Sequence, residues 1–261
     1  MSRLLVRGDR GLVDVTPARA GWRYVGFRVV RLRPGEELAF ELPDSEACLV
    51  ILRGSCSVRA PNDRWEDLGA RATVFDGPPT AVYLPPRTPA VVTGRSAAVE
   101  IAIGSAPATR GAAARLLRPE GARLEIRGSG ATERQIRHIL MEDREAERLL
   151  VTEVVTPAGH WSSYPPHKHD TDDPPRETAL EETYYHRLRD GRGFAVQRVY
   201  TTDRSLDETV VVRDGDLVLV PRGYHTVSAA PGYELYYLNV MAGPVRRWCV
   251  TFDPEHAWLR P

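Results

Sequence analysis

The 261-residue sequence is poor in cysteine, with only three, and has no run approaching the ~18 consecutive apolar residues of a membrane span. Cys48, Cys56 and Cys249 are too few and too widely spaced for a zinc cluster or a disulfide scaffold, so we expect free thiols in a reducing compartment. The first residues, MSRLLVRGDRG, lack the apolar segment and the cleavage site of a signal peptide. These absences predict a soluble, cytoplasmic protein with no membrane partner.

An excess of charge of either sign is also missing, because 35 basic residues balance 35 acidic ones. The arginines are scattered and form no basic block. A neutral balance gives no electrostatic reason to expect a nucleic-acid partner, and we find no helix-turn-helix segment. The composition therefore argues against a DNA-binding regulator.

Helical periodicity is scarce as well. The best helix candidates are residues 132–140, with Thr132 as a possible N-cap, and the short acidic-basic stretch 143–149. Short β-rich runs dominate instead, separated by turns among the 21 glycines and 21 prolines. These runs are 24–32, 49–58, 80–84, 98–103, 149–155, 195–201, 208–212, 217–220 and 235–240. Their number and spacing predict an all-β sandwich or barrel.

The two halves of the chain share an outline. In each half a strand run leads to a glycine turn, at Gly54 and towards Gly191, and a later run ends in a proline-containing turn, VYLPPRTPAVV (82–92) and LVLVPRGYHTVSA (217–229). This order suggests the duplication of a small barrel. We expect modules at residues 1–105 and 136–261, with a linker at 106–135.

The second half contains a pattern of metal-ligand side chains. His167 and His169 are two residues apart, so on a strand both imidazoles point to one face. Glu182 follows thirteen residues later and can supply a carboxylate from a neighbouring strand, and His225 follows a Pro-x-Gly turn. Three imidazoles and one carboxylate suit one divalent transition metal, which can be Mn, Fe, Zn, Ni or Co.

The order of these side chains resembles the two motifs of the cupins. The first cupin motif runs from His-x-His to a glutamate and a glycine turn, and the second is a glycine, five residues, Pro-x-Gly and a histidine. Residues 167–191 and 215–225 match with a longer gap before the glutamate and a shorter one before the last histidine. The pattern leaves Glu181 and Glu182 open as the ligand, and Glu182 fits better because Thr183-Tyr184-Tyr185 follows it.

Four longer segments closely resemble the 5-deoxy-glucuronate isomerase family of bacterial inositol catabolism. They are TPAGHWSSYPPHKHD (156–170), LEETYYHRL (180–188), GFAVQRVYTTDRSLDE (193–208) and DGDLVLVPRGYHTVSAAPGYELYYLNVMAGP (214–244). The resemblance implies a bicupin fold and a metal-dependent aldose–ketose isomerisation of 5-deoxy-D-glucuronate to 5-dehydro-2-deoxy-D-gluconate. It also implies a degenerate N-terminal cupin, in which Pro89 stands where the second half has His225.

Isomerisation through an enediol needs a base that reaches a carbon-bound proton. Glu181, Tyr184 and a metal-bound hydroxide are the candidates, and the sequence does not choose among them. His186 shares a strand face with Glu182, so it is a partner of the ligand, an acid in the pocket, or a hydrogen-bonded, partly buried histidine without a catalytic role. His138 and His256 are expected to lie at the surface or to serve packing.

The carboxylate of a sugar acid fits a planar guanidinium in a bidentate manner. Arg198, on a predicted strand, and Arg222, in the turn before His225, are the candidates for this contact. Strand alternation puts Tyr237 and Asn239 on one face, where they can line the mouth of the barrel.

Three other functions remain open from the sequence. The chain can isomerise a different uronate, such as a 4-deoxy-hexosulose-uronate, or act as a cupin dioxygenase, since the same ligands serve oxygen chemistry. It can also be a non-catalytic bicupin that binds sugar acids. Barrels of this kind often pair through unpaired strand edges, so we expect a homo-oligomer.

Overall fold

In the computed structural model, which describes residues 2–259, the chain is built almost entirely from antiparallel strands. The strands are β1 (Leu5–Val6), β2 (Asp14–Val15), β3 (Gly26–Leu32), β4 (Glu37–Phe40), β5 (Ser45–Arg53), β6 (Cys56–Arg59), β7 (Arg64–Leu68), β8 (Thr80–Leu84), β9 (Ala90–Gly94), β10 (Val99–Pro107), β11 (Arg115–Leu117), β12 (Arg123–Arg127), β13 (Arg134–Leu140), β14 (Leu150–Thr156), β15 (Trp161–Lys168), β16 (Glu181–Leu188), β17 (Ala195–Tyr200), β18 (Asp207–Val212), β19 (Leu217–Val220), β20 (Tyr224–Ala229), β21 (Leu235–Ala242) and β22 (Thr251–Phe252). The helices are one turn, α1 (Pro17–Ala20), and three 3-10 segments, Pro119–Gly121, Gly130–Thr132 and Pro254–Leu259. None of the helices within residues 2–259 is long and apolar enough to cross a membrane.

The strands form four sheets, two for each half of the chain. The N-terminal half has a six-stranded sheet in the order β11-β8-β5-β10-β3-β2 and a four-stranded sheet, β4-β9-β6-β7. The C-terminal half has a seven-stranded sheet, β1-β19-β16-β21-β14-β13-β12, and a five-stranded sheet, β18-β17-β20-β15-β22. Each half is thus a two-sheet antiparallel sandwich, as the turn spacing of the sequence predicts.

The halves exchange strands at their junction. β1 comes from the first residues of the chain but pairs with β19 in the C-terminal half. Within the predicted linker 106–135, β11 joins the N-terminal six-stranded sheet and β12 joins the C-terminal seven-stranded one. The linker is therefore part of both sandwiches, and a division at residues 105 and 136 stays a prediction.

The two largest sheets pack against each other, which buries their strands on both faces. On β5, Leu49 and Ile51 point into the N-terminal sandwich, whereas Val50 and Leu52 belong to a core shared with Leu238 of β21. Burial on both faces explains why β5 reads as the continuous apolar run ACLVIL rather than as an alternating one. The contact is close at Gly104, where a Cβ atom would lie 2.7 Å from a methyl group of Val240.

A buried ion pair crosses the same junction. Nη1 of Arg71 lies 3.0 Å from Oε2 of Glu153 on β14, and the two side chains are 4% and 1% exposed. The hydroxyl of Tyr236 donates a further hydrogen bond of 3.1 Å to this carboxylate. Because burial strengthens the penalty for an unpaired charge, the halves depend on each other's charges.

Replacement of Arg71 by Met is expected to lower the free energy of unfolding by about 3–5 kcal/mol, because Glu153 is left buried without its cation. The double variant Arg71→Met/Glu153→Leu should recover most of this loss, since no uncompensated charge remains. Urea unfolding followed by tryptophan fluorescence measures both. Equal unfolding midpoints for the Arg71→Met variant and the unaltered protein would contradict this role of the pair.

The structure corrects the two predicted helices. Residues 134–140 form the strand β13, in which Arg134, Ile136 and His138 are buried and Gln135 is exposed. β13 is paired on both sides, with β12 and β14, and this tertiary pairing overrides the local helix signal. The predicted helix at 143–149 was also wrong, because the segment is part of the irregular loop between β13 and β14.

Candidate metal centre and active-site cavity

Strand register brings the three predicted histidines together. His167 on β15 is paired directly with His225 on β20, and their ring centroids are 4.6 Å apart. His169 lies just past the end of β15, with its ring 5.0 Å from that of His225. The three buried imidazoles can offer nitrogens that all lie within 4.8 Å of one another.

Glu182 reaches this cluster from β16, which belongs to the opposite sheet of the sandwich and not to a neighbouring strand as the sequence suggested. Its Oε2 atom lies 3.0 Å from Nε2 of His169 and 3.2 Å from Nε2 of His225. Burial alone would raise the pKa of Glu182, but the two imidazoles outweigh this effect and lower the pKa to about 2. The carboxylate is therefore ionised near neutral pH.

The hydrogen bonds of the other ring nitrogens decide which atoms face the cluster. Nδ1 of His169 lies 3.0 Å from the carbonyl oxygen of Leu180, and Nδ1 of His225 lies 3.1 Å from that of Gly223. A carbonyl oxygen only accepts, so Nδ1 of each ring carries a proton and Nε2 is the nitrogen that faces the carboxylate. Burial lowers the pKa of His169, but the carboxylate of Glu182 outweighs this effect and raises it. Burial and the neighbouring imidazoles hold the pKa of His167 well below its usual range, so this ring is neutral near pH 7.

This arrangement fits a bound cation. Nε2 of His225 is buried and has no hydrogen-bond partner among residues 2–259, although a carboxylate oxygen lies 3.2 Å away. A cation bound between the imidazole nitrogens and the carboxylate would be the partner that this nitrogen lacks. Imidazole nitrogens and one carboxylate are a donor set that Zn, Mn, Fe, Co and Ni accept.

The turn before His225 requires glycine. Gly223 has a φ of +92°, and a Cβ atom there would lie 2.5 Å from the carbonyl oxygen of Tyr200. The N–H group of Gly223 donates a 2.8 Å hydrogen bond to Asp170, which directly follows His169. This bond fixes the two histidine-bearing segments relative to each other.

The long gap between His169 and Glu182 also has a structural role. Oε1 of Glu177, in this loop, accepts hydrogen bonds from the backbone N–H groups of Asp170 and Thr171 and lies 2.8 Å from Nζ of Lys168. Lys168 thus points away from the histidines, as strand alternation predicts. The additional residues stabilise the end of β15.

A cavity of about 50 Å³ opens beside the cluster, between the two sheets of the C-terminal sandwich. His167 and Glu182 form part of its wall, and Tyr184, Tyr237 and Asn239 form another part, at alternate positions of β16 and β21. The sequence placed Tyr237 and Asn239 on one face, and the structure has them there. Small polar molecules that enter this cavity meet the candidate metal ligands.

Tyr184 contributes a phenolic hydroxyl to this cavity. Its hydroxyl lies 3.0 Å from Oγ of Ser163. Burial, together with the nearby carboxylate of Glu182, raises the pKa of Tyr184 well above its usual range. The phenol therefore stays protonated and is not a base at neutral pH.

Two of the predicted catalytic residues lie outside the cavity. Glu181 is on the other face of β16, where it accepts hydrogen bonds of 2.7, 2.7 and 3.0 Å from the backbone N–H groups of residues 23, 24 and 25. His186 is fully buried behind Tyr184, with Nε2 2.9 Å from Oε1 of Gln197, and burial lowers the pKa of His186 to about 4. Neither side chain is positioned to take a proton from a molecule in the cavity.

The two predicted carboxylate-binding arginines lie outside it as well. Arg198 forms a bidentate pair with Asp207, at 2.9 and 2.8 Å, on the outer face of the five-stranded sheet. The exposed Arg222 only approaches Oγ of Ser205, at 3.4 Å. Arg127 and Arg134 line the cavity instead, and the sequence missed them because 106–135 was interpreted as a linker and 132–140 as a helix.

His138 is another residue of the cavity wall that the sequence did not reveal. Its side chain is buried, Nε2 lies 2.9 Å from Oε2 of Glu125, and Nδ1 has no partner among the described residues. Burial raises the pKa of Glu125, but hydrogen bonds with Arg127 and His138 lower it to about 2. Arg134, Ile136 and His138 are alternate residues of β13 and share one face. A strand prediction for this segment would therefore have placed His138 on the same face as Arg134.

Comparisons with known proteins extend over the whole chain. The 5-deoxy-glucuronate isomerase of Geobacillus kaustophilus (strain HTA426) is 52% identical over 265 residues, which cover 99% of this chain and 96% of that protein. The 5-deoxy-glucuronate isomerase of Bacillus subtilis (strain 168) is 43% identical over 248 residues, covering 94% and 91%.

Solved structures show the same relationship. An IolB-like protein from Salmonella typhimurium LT2 has a TM-score of 0.95 at 45% identity, covering 98% of both chains. A mutant of Bacillus subtilis oxalate decarboxylase has a TM-score of 0.68 at 14% identity, covering 100% of this chain and 82% of that one. The latter likeness concerns the fold alone, and it confirms the predicted all-β bicupin architecture. Because the model of the KduI/IolB family matches residues 2–259, this chain belongs to that family.

Proposed function

We propose that the protein is a metal-dependent aldose–ketose isomerase that converts 5-deoxy-D-glucuronate to 5-dehydro-2-deoxy-D-gluconate. One observation carries the proposal: three imidazoles and a carboxylate converge beside a cavity, in a chain 52% identical to a protein named for this activity. The identity extends over 99% of the chain, so the cavity residues lie within the matched region.

The reaction moves hydrogen without any net oxidation. The C2–H bond of the aldose breaks and a C1–H bond forms, while the proton of the C2 hydroxyl leaves and the C1 oxygen gains one. The aldehyde becomes a primary alcohol and the C2 hydroxyl becomes a ketone. A weak carbon acid must ionise on the way, so the negative charge on the enediolate oxygens has to be stabilised.

His167, His169, Glu182 and His225 would hold one divalent transition metal, of the Mn, Zn, Fe, Ni or Co group. Such an ion supplies a Lewis acid for the two substrate oxygens. Tyr184 is protonated and can donate a hydrogen bond to one of these oxygens. Tyr237 and Asn239 shape the wall that excludes water.

The proton carrier in this proposal is His138. Glu125 is ionised and accepts the N–H of Nε2, so the lone pair of the ring lies on Nδ1, which is buried and unpartnered among residues 2–259. Nδ1 would take the C2 proton and return it to C1. No other acid–base pair on the described cavity wall is free of the candidate metal ligands.

Comparison of two uronates tests the proposed function. Purified, metal-loaded protein is incubated with 5-deoxy-D-glucuronate and, separately, with a 4-deoxy-hexosulose-uronate, and the products are followed by proton NMR. We expect conversion of the first at the higher kcat/KM. Preference for the second would make the chain an isomerase of that uronate, and consumption of oxygen would make it a dioxygenase. Binding of both without conversion would indicate a non-catalytic bicupin.

A further inference from the structure

Two guanidinium groups face each other on the cavity wall. Arg127 of β12 and Arg134 of β13 are directly opposite in the strand register, and both line the cavity. Side chains of directly paired residues project to the same face of a sheet, and like charges placed this way repel each other. Such a pair is unfavourable unless an anion lies nearby.

Of these two arginines, only Arg127 has an acidic partner among the described residues. Nε of Arg127 lies 2.7 Å from Oε1 of Glu125, and its guanidinium is stacked over the ring of Trp248 at 5.2 Å. Arg134 is 6% exposed and forms no ion pair within the described part of the chain. Its Nη1 donates to the carbonyl oxygens of Thr132 and Tyr164, at 3.0 and 3.5 Å, and both of these groups are neutral.

Arg71 is a buried arginine that has a counter-ion, in contrast to Arg134. Its guanidinium is equally buried, and a carboxylate lies 3.0 Å away. Nε and Nη2 of Arg134 make no hydrogen bond to residues 2–259, although the side chain lines the cavity. A buried cation without a counter-ion is costly, so the pattern at Arg134 is that of a receptor for an external anion.

We infer that Arg134, assisted by Arg127, binds the carboxylate of a sugar acid whose carbonyl end lies at the histidine cluster. The inference rests on the proposed function, since the same cavity holds His167 and Glu182. A carboxylate is planar and accepts two parallel N–H bonds from a guanidinium. Arg127, Arg134 and His167 also line an adjoining hollow of about 540 Å³, so the anionic end would lie on the side of the cavity that adjoins this hollow.

This assignment makes Arg134 the residue that selects uronates over neutral aldoses. The matched neutral compound is the aldose in which a hydroxymethyl group replaces the carboxylate. The unaltered protein should prefer the acid, and Arg134→Met should lower kcat/KM for the acid by about 10- to 100-fold, mainly through KM. Turnover of the neutral aldose should not change, which also shows that the variant is folded.

Two further variants sharpen the test. Arg134→Lys keeps the positive charge but loses the paired N–H donors of the planar guanidinium. It should therefore restore only part of the preference for the acid over the neutral aldose. Arg198→Met removes an exposed arginine whose partner is Asp207, outside the cavity, and it should leave both activities unchanged. An equal loss of activity towards acid and neutral aldose in Arg134→Met would overturn the carboxylate assignment.

A binding measurement separates this inference from the proposed function. Calorimetry of the metal-loaded protein with D-gluconate and with D-glucitol, neither of which is an aldose, should show binding of the acid only, and its loss in Arg134→Met. If the uronate is converted but Arg134→Met binds gluconate as tightly as before, the carboxylate assignment is wrong and the isomerase stands. If neither uronate is converted and gluconate binding still depends on Arg134, the isomerase proposal fails and the anion site stands.

Discussion

Glu182→Gln is expected to weaken metal binding and to lower kcat/KM by more than about 100-fold. Loss of a group that only orients a metal ligand already costs about 10- to 100-fold in metal affinity or activity. Within residues 2–259, Glu182 is the one carboxylate that contacts the imidazoles of His169 and His225. The amide is nearly the same size, so the buried site keeps its shape while it loses its negative charge. Metal content after dialysis and the steady-state rate with 5-deoxy-D-glucuronate are the two measurements.

The matched control for this variant is Glu255→Gln. Asp253, Glu255 and His256 form a second group that could hold a cation, at the C-terminal 3-10 segment, and Glu255 is exposed. We expect this control to keep both metal and activity. Loss of metal from Glu255→Gln, with metal retained by Glu182→Gln, would place the ion at the wrong site for the proposed chemistry.

His138→Asn is expected to lower kcat by about 10²- to 10⁴-fold, the usual contribution of a positioned general base. Metal content should not change, because His138 is not one of the four candidate ligands. KM should change little, since the carboxylate receptor at Arg134 is retained. Glu125→Gln should give a smaller loss, because an amide oxygen can still accept the hydrogen bond from Nε2 but no longer stabilises the protonated ring.

His256→Asn is the control for His138→Asn, because it removes a half-buried histidine of the C-terminal 3-10 segment that does not line the cavity. It should retain normal kcat. If His138→Asn also keeps normal kcat while Tyr184→Phe loses activity, the proton is carried by another group of the cavity and the role of His138 is wrong.

Much of the fold could be predicted from the sequence, because strand alternation and turn residues are local signals. The run 80–84 coincides with β8, and 217–220 coincides with β19. The run 49–58 is two strands, since the chain turns at Gly54, where φ is +75°. β13 was missed because its buried face is defined by pairing with β12 and β14, which a local pattern does not contain.

The residues of the candidate site likewise fall into those that a local sequence pattern predicts and those that it does not. The four predicted ligands converge because His-x-His spacing and the Pro-x-Gly turn determine where their side chains point. Arg198 and Arg134 are both arginines on strands, and only the stacking of the sheets decides that the first faces solvent and the second faces the cavity. The partnership of His138 with Glu125 likewise depends on cross-strand geometry and not on spacing in the sequence.

A proton NMR time course in D2O tests the central claim most directly. The protein is given 5-deoxy-D-glucuronate as purified, after chelation, and after Mn(II) or Zn(II) is restored. The proposal predicts that the aldose signals give way to those of a ketose, that chelation stops the conversion, and that added metal restores it. Conversion that continues at full rate in chelated, metal-free protein would contradict the claim, as would the absence of conversion in protein shown to be fully loaded with metal.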